Sequence, residues 1–247
     1  MIPKKNALDL QMLRESGVIL ARVIKIIKPR IRSGITTIEL DRLAEEAILK
    51  ARALPAFKGY KGYPATLCVS VNDEIVHGIP GQRKLAEGDI ASIDLGVNYR
   101  GYFTDAAFTV PVGRVTPRVD EMVNTAQEAL RLGLDKARCG NRLFDISYAI
   151  QVYVEGRGFS VVRQFVGHGI GTSLHEEPEI PNFGRPHQGP VLEAGMVLAI
   201  EPMVNMGGWE AYIDGNGWTA KTKDGLQSAH FEHTVAITPG GPEVLTE

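Results

Sequence analysis

The sequence predicts an α/β fold of the α+β type. Its antiparallel sheet is expected to join two pseudo-two-fold related halves and to carry helices on its outer face. Two helical patterns precede a β-hairpin in the first half, and the same order returns in the second. An internal repeat, at about 8–113 and 114–240, accompanies that order. With 247 residues, 44% of them hydrophobic, the chain is expected to form a single domain over 1–247.

The overall composition excludes several classes of partner. A net charge of −2 gives no general attraction to nucleic acid or anionic lipid, so neither DNA nor a membrane is expected as a partner. Two cysteines, Cys68 and Cys139, indicate a reducing compartment rather than a disulfide framework. The sequence contains neither a signal-peptide core nor an apolar run near ~20 residues. We therefore expect a cytoplasmic protein, and we expect a monomer.

The helices are predicted from apolar periodicity and from their end signals. Apolar residues recur at helical spacing from residue 8, and Pro29 ends that run. Thr36 or Thr37 caps the second helix, and Pro55 closes it. A turn at 139–141 separates the last two helices. The four helices are expected at about 8–28, 37–52, 118–137 and 142–156.

The strands are predicted from short β-branched runs between glycine-rich turns. Residues 57–64 are a loop rich in glycine and aromatic residues, and 72–80 (NDEIVHGIP) is a short connection. The hairpin at 89–110 turns at Asn98-Tyr99-Arg100-Gly101. The remaining strands are expected at 66–71, 161–166, 197–204 and 231–238.

Two aspartates lie in the arms of this hairpin. A loop centred between Tyr99 and Arg100 would place Asp94 and Asp105 directly opposite each other, whereas a bulge at Gly101 would shift the register. Like charges that face each other across a sheet are destabilising. The pair therefore indicates a cation held between the two groups or a shared proton. The alternative is that one aspartate faces solvent and the other caps a turn.

The internal repeat supplies two more acids. Residues 85–94 align with 192–201, so Glu201 matches Asp94, and the second arms align Glu232 with Asp105. A pseudo-two-fold axis would bring the four carboxylates together. Four buried carboxylates do not all stay ionised without cations. Two divalent ions would balance their charge, which favours a dinuclear metal centre.

A histidine provides the expected nitrogen ligand. His168 follows a predicted strand and lies between glycines in 167–171 (GHGIG). An imidazole biases a site away from Mg²⁺ and Ca²⁺ and suits Mn, Fe, Co or Zn. The alternative is a structural histidine. The glycine-rich segment is not a phosphate loop, because no Lys-Ser/Thr follows it.

Five motifs, taken together, resemble a known family. The segments NDEIVHGIP, IDLG with TD, GHGIGTSLHEEP, AIEPMVN and FEHT occur in that order. The set resembles the five-ligand dinuclear site of the methionine aminopeptidase family, in its bacterial type I form, and implies the pita-bread fold of that family. The motifs run from about 60 to 238, and the N-terminal helices agree, so the resemblance covers nearly the whole chain.

The resemblance implies a role for each metal ligand. Asp94 would chelate one metal, Asp105 and Glu232 would bridge both, and His168 and Glu201 would complete the second. A hydroxide activated by the two metals would be the nucleophile. Glu201 would carry the proton from that water to the leaving amine.

The resemblance also implies how the substrate is held. The free α-amine of the substrate would bind a metal, so that a single N-terminal residue is removed. His175 would donate to the scissile carbonyl oxygen as negative charge develops. His77 would bond the peptide on the leaving-group side. His168 is therefore expected to be a ligand, and His175 is not.

The implied methionine pocket is built mainly from aromatic residues and a thiol. Tyr60, Tyr63, Cys68 and Trp218 match it, and such groups suit a flexible thioether. The alternative for the two tyrosines is that they only pack the glycine-rich loop. Two positions depart from the family pattern: Leu174 stands where Phe is frequent, and Phe57 stands where some members have Cys. A monovalent cation is also implied near main-chain oxygens at positions matching Asn72, Glu74 and Ser228.

The resulting hypothesis is an enzyme that removes the initiator methionine from nascent polypeptides. By resemblance it would act when the second residue is small and after any formyl group is removed. The alternatives are a proline-specific aminopeptidase or dipeptidase of the same fold, and a non-catalytic binder of nascent chains. A basic cluster is either a solvated helix end or a site of transient contact with the ribosome; it comprises Lys25, Lys28, Arg30 and Arg32.

Overall fold

The computed structural model describes residues 2–247. In this part of the chain four helices form, at the positions expected from the sequence: α1 (Ala7–Ile27), α2 (Thr37–Lys50), α3 (Pro117–Lys136) and α4 (Leu143–Glu155). The strands of the first half are β1 (Leu54–Pro55), β2 (Leu67–Val71), β3 (Glu74–Val76), β4 (Ile90–Tyr99) and β5 (Tyr102–Pro111). Those of the second half are β6 (Ser160–Val161), β7 (Gly167–Gly169), β8 (Glu176–Ile180), β9 (Val197–Ile200), β10 (Met203–Asn205), β11 (Ala211–Ile213), β12 (Ala220–Thr222), β13 (Ser228–His230), β14 (Glu232–Thr238) and β15 (Gly241–Val244). Within residues 2–247, no helix has the length and apolar content needed to cross a membrane.

Side-chain caps fix where the helices begin. Asn6 accepts the backbone N–H groups of Leu8 and Asp9 at the start of α1. Of the two candidate threonines, Thr36 caps α2, and Glu39 completes a capping box with it. Each cap satisfies backbone donors that have no partner inside the helix, which places the helix starts where the sequence indicated.

The main sheet is antiparallel and has the order β1-β4-β5-β14-β9-β7-β8, with β2 paired to β4 and β15 to β14. Its centre is the junction of β5 and β14. On one side β4 pairs with β5, and on the other β9 pairs with β14. The strands β2 and β7 then flank β4 and β9 in the same way. This arrangement agrees with the predicted two-fold related halves.

The helices cover one face of the sheet. Helix α1 packs against β4 and β5, and α3 packs against β5, β9 and β14. Ile93 and Leu95 join the large core shared with the helices. Because side chains alternate along a strand, Asp94 faces away from the helices. The expected acids thus project from the face that the helices leave free.

The hairpin register differs from direct opposition of the two aspartates. Asp94 pairs with Ala107 and Asp105 pairs with Gly96. The two loop residues are Arg100 (φ 54°) and Gly101 (φ 86°), both left-handed, as a two-residue hairpin turn requires. The loop therefore lies one residue later than the one that would set the aspartates opposite. The two carboxylates are diagonal neighbours on one face.

Two strand predictions and one loop prediction need correction. A strand at 161–166 is wrong: only 160–161 and 167–169 are strands, and Gln164 between them bonds Ala211 instead. A single strand over 197–204 is wrong because the chain leaves the main sheet at Glu201-Pro202 and enters the sheet β13-β10-β6. Proline has no N–H for a ladder, which explains the break. The connection at 72–80 contains the short strand β3, paired with β12.

Candidate active site

The predicted site residues surround one cavity of about 240 Å³. It lies beside the face of the sheet that the acids occupy. Except for Leu174, every predicted catalytic, metal-binding or pocket residue lines it. The lining comprises Phe57, Tyr60, Lys61, Tyr63, Cys68, His77, Asp94, Asp105, His168, His175, Glu201, Trp218 and Glu232.

Strand pairing brings the acids together. Ala107 of β5 is paired with Asp94 on one side and with Glu232 on the other. Glu201 directly follows β9. The last residue of β9, Ile200, pairs with His233, which is next to Glu232 in β14. A methyl side chain at Ala107 leaves open the space between the flanking carboxylates. The row of acids is therefore a consequence of sheet register.

Three of the predicted ligands already have the spacing that one metal ion needs. One ligand atom from each of Asp105, His168 and Glu232 lies within 4.8 Å of the others. His168 Nε2 is 3.7 Å from Glu201 Oε1, and the Glu201 side chain is 13% exposed. The other four predicted ligands are buried.

Burial dominates the electrostatics of this cluster. It raises the pKa of Asp94 to about 7 and that of Glu201 to about 7. Burial and the neighbouring carboxylates raise the pKa of Asp105 and of Glu232 well above the usual range. One oxygen each of Asp94, Asp105 and Glu232 has no hydrogen-bond partner among the described residues. Buried oxygens without donors are what divalent cations bind, so these residues fit a metal centre.

The ring of His168 is oriented for ligation. Its Nδ1 lies 2.9 Å from the carbonyl oxygen of Gly169, which can only accept, so Nδ1 carries the proton. Nε2 is then free to bind a metal through its lone pair. A Cβ on Gly169 would lie 2.1 Å from the carbonyl oxygen of Glu177. The flanking glycine is therefore needed for close packing of β7 against β8.

Two further predicted residues, His175 and His77, also line the cavity. The Nδ1 atom of His175 is 3.0 Å from the hydroxyl of Tyr60, and the two rings stack. Burial, His168 and Lys61 lower the pKa of His175, so its ring is neutral at pH 7. Burial also lowers the pKa of His77 to about 4. His77 has φ 61° and packs edge-on against Phe165.

The apolar part of the cavity contains the expected aromatic side chains. The hydroxyl of Tyr63 is 2.9 Å from the carbonyl oxygen of Leu67, and its ring meets Trp218 edge-on. Burial raises the pKa of the Cys68 thiol, which keeps it protonated and apolar. Leu174 does not line the cavity but is buried in the cluster that includes Phe57. It supports the wall from behind.

Two residues near the site were missed from the sequence. His230 is buried, with Nε2 3.3 Å from Glu201 Oε2, and it stands two residues before Glu232. His230 ends β13, whereas Glu232 begins β14 in another sheet, so strand periodicity gave no signal for it. Lys61 lines the cavity and lies in the loop between Tyr60 and Tyr63. A single lysine in a loop forms no sequence pattern, so nothing marked it as a site residue.

The residues proposed for a monovalent cation lie beside one another. The backbone N–H of Ser228 donates to the carbonyl oxygen of Asn72 over 2.9 Å. The carboxylate of Glu74 accepts the N–H of Val71 over 2.8 Å. The first contact joins the main-chain segments around Asn72 and Ser228, and the second is local to residues 71–74.

Comparison with known proteins agrees with this fold and site. The model of metallopeptidase family M24 matches residues 11–239. The methionine aminopeptidase of Clostridium perfringens is 53% identical over 246 residues, covering 100% of this chain and 99% of that relative. Methionine aminopeptidase 1 of Bacillus subtilis is 50% identical with the same coverage. The chain belongs to metallopeptidase family M24.

Solved structures narrow the comparison within that family. A crystal structure of methionine aminopeptidase from Thermotoga maritima superposes with a TM-score of 0.98 at 45% identity, covering 100% of both chains. A prolidase from Pyrococcus furiosus has a TM-score of 0.79 at 23% identity and covers 99% of this chain but 65% of that one. The second likeness concerns the fold alone. Within family M24, this chain groups with the methionine aminopeptidases.

Proposed function

We propose that this protein is a metal-dependent methionyl aminopeptidase. It removes the initiator methionine from new polypeptides when the second residue is small and any formyl group is gone. The observation that carries the proposal is one cavity in which four acids and His168 meet an apolar wall of Tyr63, Cys68 and Trp218. The full-length similarity to methionine aminopeptidases supports the same activity.

Two divalent ions are proposed for the acid cluster. Asp94 would hold one, His168 and Glu201 the other, and Asp105 and Glu232 both. When bound, the ions lower the pKa of a water and so supply a nucleophile at neutral pH. Mn, Fe, Co and Zn each suit four carboxylates with one imidazole. A monovalent cation near Asn72 and Ser228 is a further part of the proposal.

Proton transfer is assigned to Glu201, and hydrogen bonding of the substrate is assigned to His175 and His77. Glu201 takes the proton from the attacking water and gives it to the leaving amine, acting first as general base and then as general acid. We assign the Tyr60 hydroxyl as donor to Nδ1 of neutral His175, 3.0 Å away; the Nε2–H of His175 then donates to the scissile carbonyl oxygen as that oxygen gains charge. His77 bonds the peptide on the leaving side.

The apolar end of the cavity is proposed to hold the methionine side chain. The edge-on pair of Tyr63 and Trp218 has ring centroids 5.1 Å apart, and the protonated thiol of Cys68 lies in the same wall. A polarisable thioether makes favourable contacts with aromatic edges. Phe57 and Tyr60 line the same cavity, and Leu174 packs in the buried cluster that contains Phe57.

The proposed substrates are nascent chains that emerge from ribosomes. Transient docking of this protein on the ribosome is therefore part of the proposal. Action in the cytoplasm is a further part of it. Arg30, Arg32 and Arg42 line a surface cavity of about 490 Å³, together with Glu39 and Glu46. Arginine side chains form bidentate hydrogen bonds with phosphate groups such as those of RNA. Salt-dependent co-sedimentation of the protein with ribosomes, and its loss on changing Arg30 and Arg32 to Gln, would test this part.

The central test is peptide hydrolysis. The purified protein, stripped of metal and then reloaded, is assayed with Met-Gly-Met-Met, Ala-Pro and Gly-Pro. We expect release of methionine from the first peptide, dependent on added metal. The Glu201→Gln variant keeps the side-chain shape and is expected to lose most turnover. Preference for the prolyl peptides would establish the proline-specific alternative, and tight peptide binding without hydrolysis would establish the non-catalytic one.

A further inference from the structure

The loop that carries His175 is attached to the N-terminal segment by a buried ion pair. We call residues 170–175, between β7 and β8, the histidine loop. Lys5 Nζ lies 2.5 Å from Glu176 Oε2, and the two side chains are 6% and 10% exposed. Lysine is among the residues least often buried, so a fully covered one requires a reason.

Glu176 holds the histidine loop from its far end. Its Oε1 accepts the backbone N–H of Thr172 over 2.8 Å and that of Ser173 over 3.1 Å. The carboxylate is thus bonded to the middle of the loop while it directly follows His175 in the chain. The loop closes around this one side chain.

Lys5 holds the opposite side of the same loop. A Cβ on Gly171 would lie 2.1 Å from Lys5 Cε, so the lysine stem passes directly over the glycine. The carbonyl oxygen of Gly171 accepts the N–H of Phe103 over 2.7 Å, which joins the loop to β5. The N–H of Lys5 donates to the carbonyl oxygen of Gly195 over 2.7 Å. The lysine is therefore fixed at its backbone as well as at its charge.

Charge balance makes this contact sensitive to change. Burial acts to raise the pKa of Glu176, but the hydrogen bonds from Lys5, Ser173 and Thr172 lower it below its usual value. The acid is therefore ionised and depends on Lys5 for compensation. Removing one partner of a buried pair leaves an uncompensated charge, which is strongly unfavourable. Glu176 would then turn toward water and release the two loop amides.

We propose that Lys5 is a positioning residue for the reaction: through Glu176 it holds the histidine loop so that His175 reaches the scissile carbonyl and Leu174 supports the methionine pocket. The proposal rests on the proposed function of the site. Lys5 is not among the residues that line the cavity, and it acts from the segment that precedes α1. Displacement of a catalytic donor by about 1 Å can cost on the order of 100-fold in rate.

The first test compares Lys5→Met with Lys4→Met. Lys4 forms the neighbouring pair with Glu193, whose side chains are 50% and 53% exposed, so its loss should change little. Lys5→Met should lower kcat by about 10- to 100-fold while calorimetric metal affinity stays at the wild-type value. Lys5→Arg should recover part of kcat. Wild-type kcat in Lys5→Met would overturn the proposal.

A double-variant cycle separates positioning from general weakening of the fold. If Lys5 acts through His175, Lys5→Met should have little further effect on kcat in a His175→Ala background. An equal fall in both backgrounds would contradict the proposal. Should Lys5→Met fail to fold, the same cycle is run with Glu176→Gln. The combined Lys5→Met and Glu176→Gln variant should be more active than Lys5→Met, because no unpaired buried charge remains.

Hydrogen exchange tests the contact without reference to activity. The amides of Thr172 and Ser173 should exchange faster in Lys5→Met than in the wild-type protein or in Lys4→Met. Unchanged exchange would overturn the role of Lys5 even if kcat fell. A wild-type protein that failed to cleave methionyl peptides would refute the proposed function, while the exchange result would still decide whether Lys5 holds the loop.

Discussion

The two histidines of the glycine-rich segment differ in what their ring nitrogens can do. His168 donates from Nδ1 to the carbonyl oxygen of Gly169 and has Nε2 free for a metal. Nδ1 of His175 is bonded to the hydroxyl of Tyr60, and with that hydroxyl as donor its Nε2–H is the group proposed to reach the substrate. We expect His175→Ala to lower kcat by about 10²–10³-fold, as loss of one oxyanion donor does, with both metals still bound. Calorimetric titration measures the metal affinity of the variant, and steady-state kinetics on a methionyl peptide measure its kcat.

The matched variant is His168→Ala, which should lose metal affinity first. Its activity should recover in part at high metal concentration, whereas that of His175→Ala should not. The assignment of the two rings would be reversed if the His175 variant lost a metal and the His168 variant kept both.

His77 makes stability depend on pH. Its folded pKa of about 4 lies below the ordinary value of 6.5. Between these values the unfolded chain takes up a proton that the folded protein does not, so stability falls as pH falls from about 6.5 to 4. Since the ring borders the open cavity, we expect this group to contribute less than the full ~1.4 kcal/mol per pH unit.

His77→Asn should remove that contribution. Asparagine tolerates the positive φ at this position, so backbone strain should not obscure the result. Urea unfolding at several pH values measures the effect. Between pH 6.5 and 4 the free energy of unfolding should fall less in His77→Asn than in the wild-type protein. Parallel curves for wild type and variant would show that the ring titrates normally.

At the scale of elements, glycine decides how closely helices pack. Gly17 of α1 and Gly133 of α3 are both helical, where alanine would gain up to about 1 kcal/mol from propensity alone. A Cβ at Gly17 would lie 1.9 Å from the backbone oxygen of Leu245, whereas one at Gly133 would meet only side-chain atoms, with Ile150 Cδ1 nearest at 2.9 Å. We expect Gly17→Ala to lose about 1–3 kcal/mol through overpacking.

Gly133→Ala is the control, and it should be close to neutral because a side-chain end can rotate away. Denaturant unfolding of both variants gives the comparison. Equal losses of the free energy of unfolding in the two variants would contradict this expectation. They would mean that the backbone at Leu245 shifts as easily as the Ile150 side chain rotates.

The same scale shows what local pattern could and could not predict. Helix positions followed from periodicity and caps, because both signals lie within the helix itself. The strand at 197–204 was wrong since its first part pairs with β14 and its second with β13, and no local pattern distinguishes two partners. The order of acids was predictable from the repeat. The hairpin register depended on φ at Arg100, which sequence alone did not determine. The position of Lys61 at the cavity required tertiary contacts.

For the whole molecule, the acid cluster is costly without cations. The raised pKa values of Asp94 and Glu201, about 7 each, mean that the metal-free fold is stabilised by protonation. That stability is present at low pH and is lost as pH rises through about 7. Metal removal by a chelator should therefore lower Tm more at pH 8 than at pH 5.

Reloading with metal should reverse the effect by mass action. At a free metal concentration 100 times Kd, binding adds about 2.7 kcal/mol to the free energy of unfolding. Calorimetric Tm at several metal concentrations measures it, with Glu232→Gln as the variant expected to respond less. A Tm that was independent of metal at pH 8 would contradict a buried cation site.

The strands that flank the two halves of the sheet carry different chemistry. Beside β4, β2 sets the protonated thiol of Cys68 opposite Asp94; beside β9, β7 supplies the imidazole of His168. Both halves carry acids, but the strand beside β4 contributes to the apolar wall of the cavity, whereas the strand beside β9 contributes an imidazole. Because the two contributions come from different strands, a substitution in β2 or in the loop before it should alter the apolar wall and leave in place the imidazole that β7 contributes.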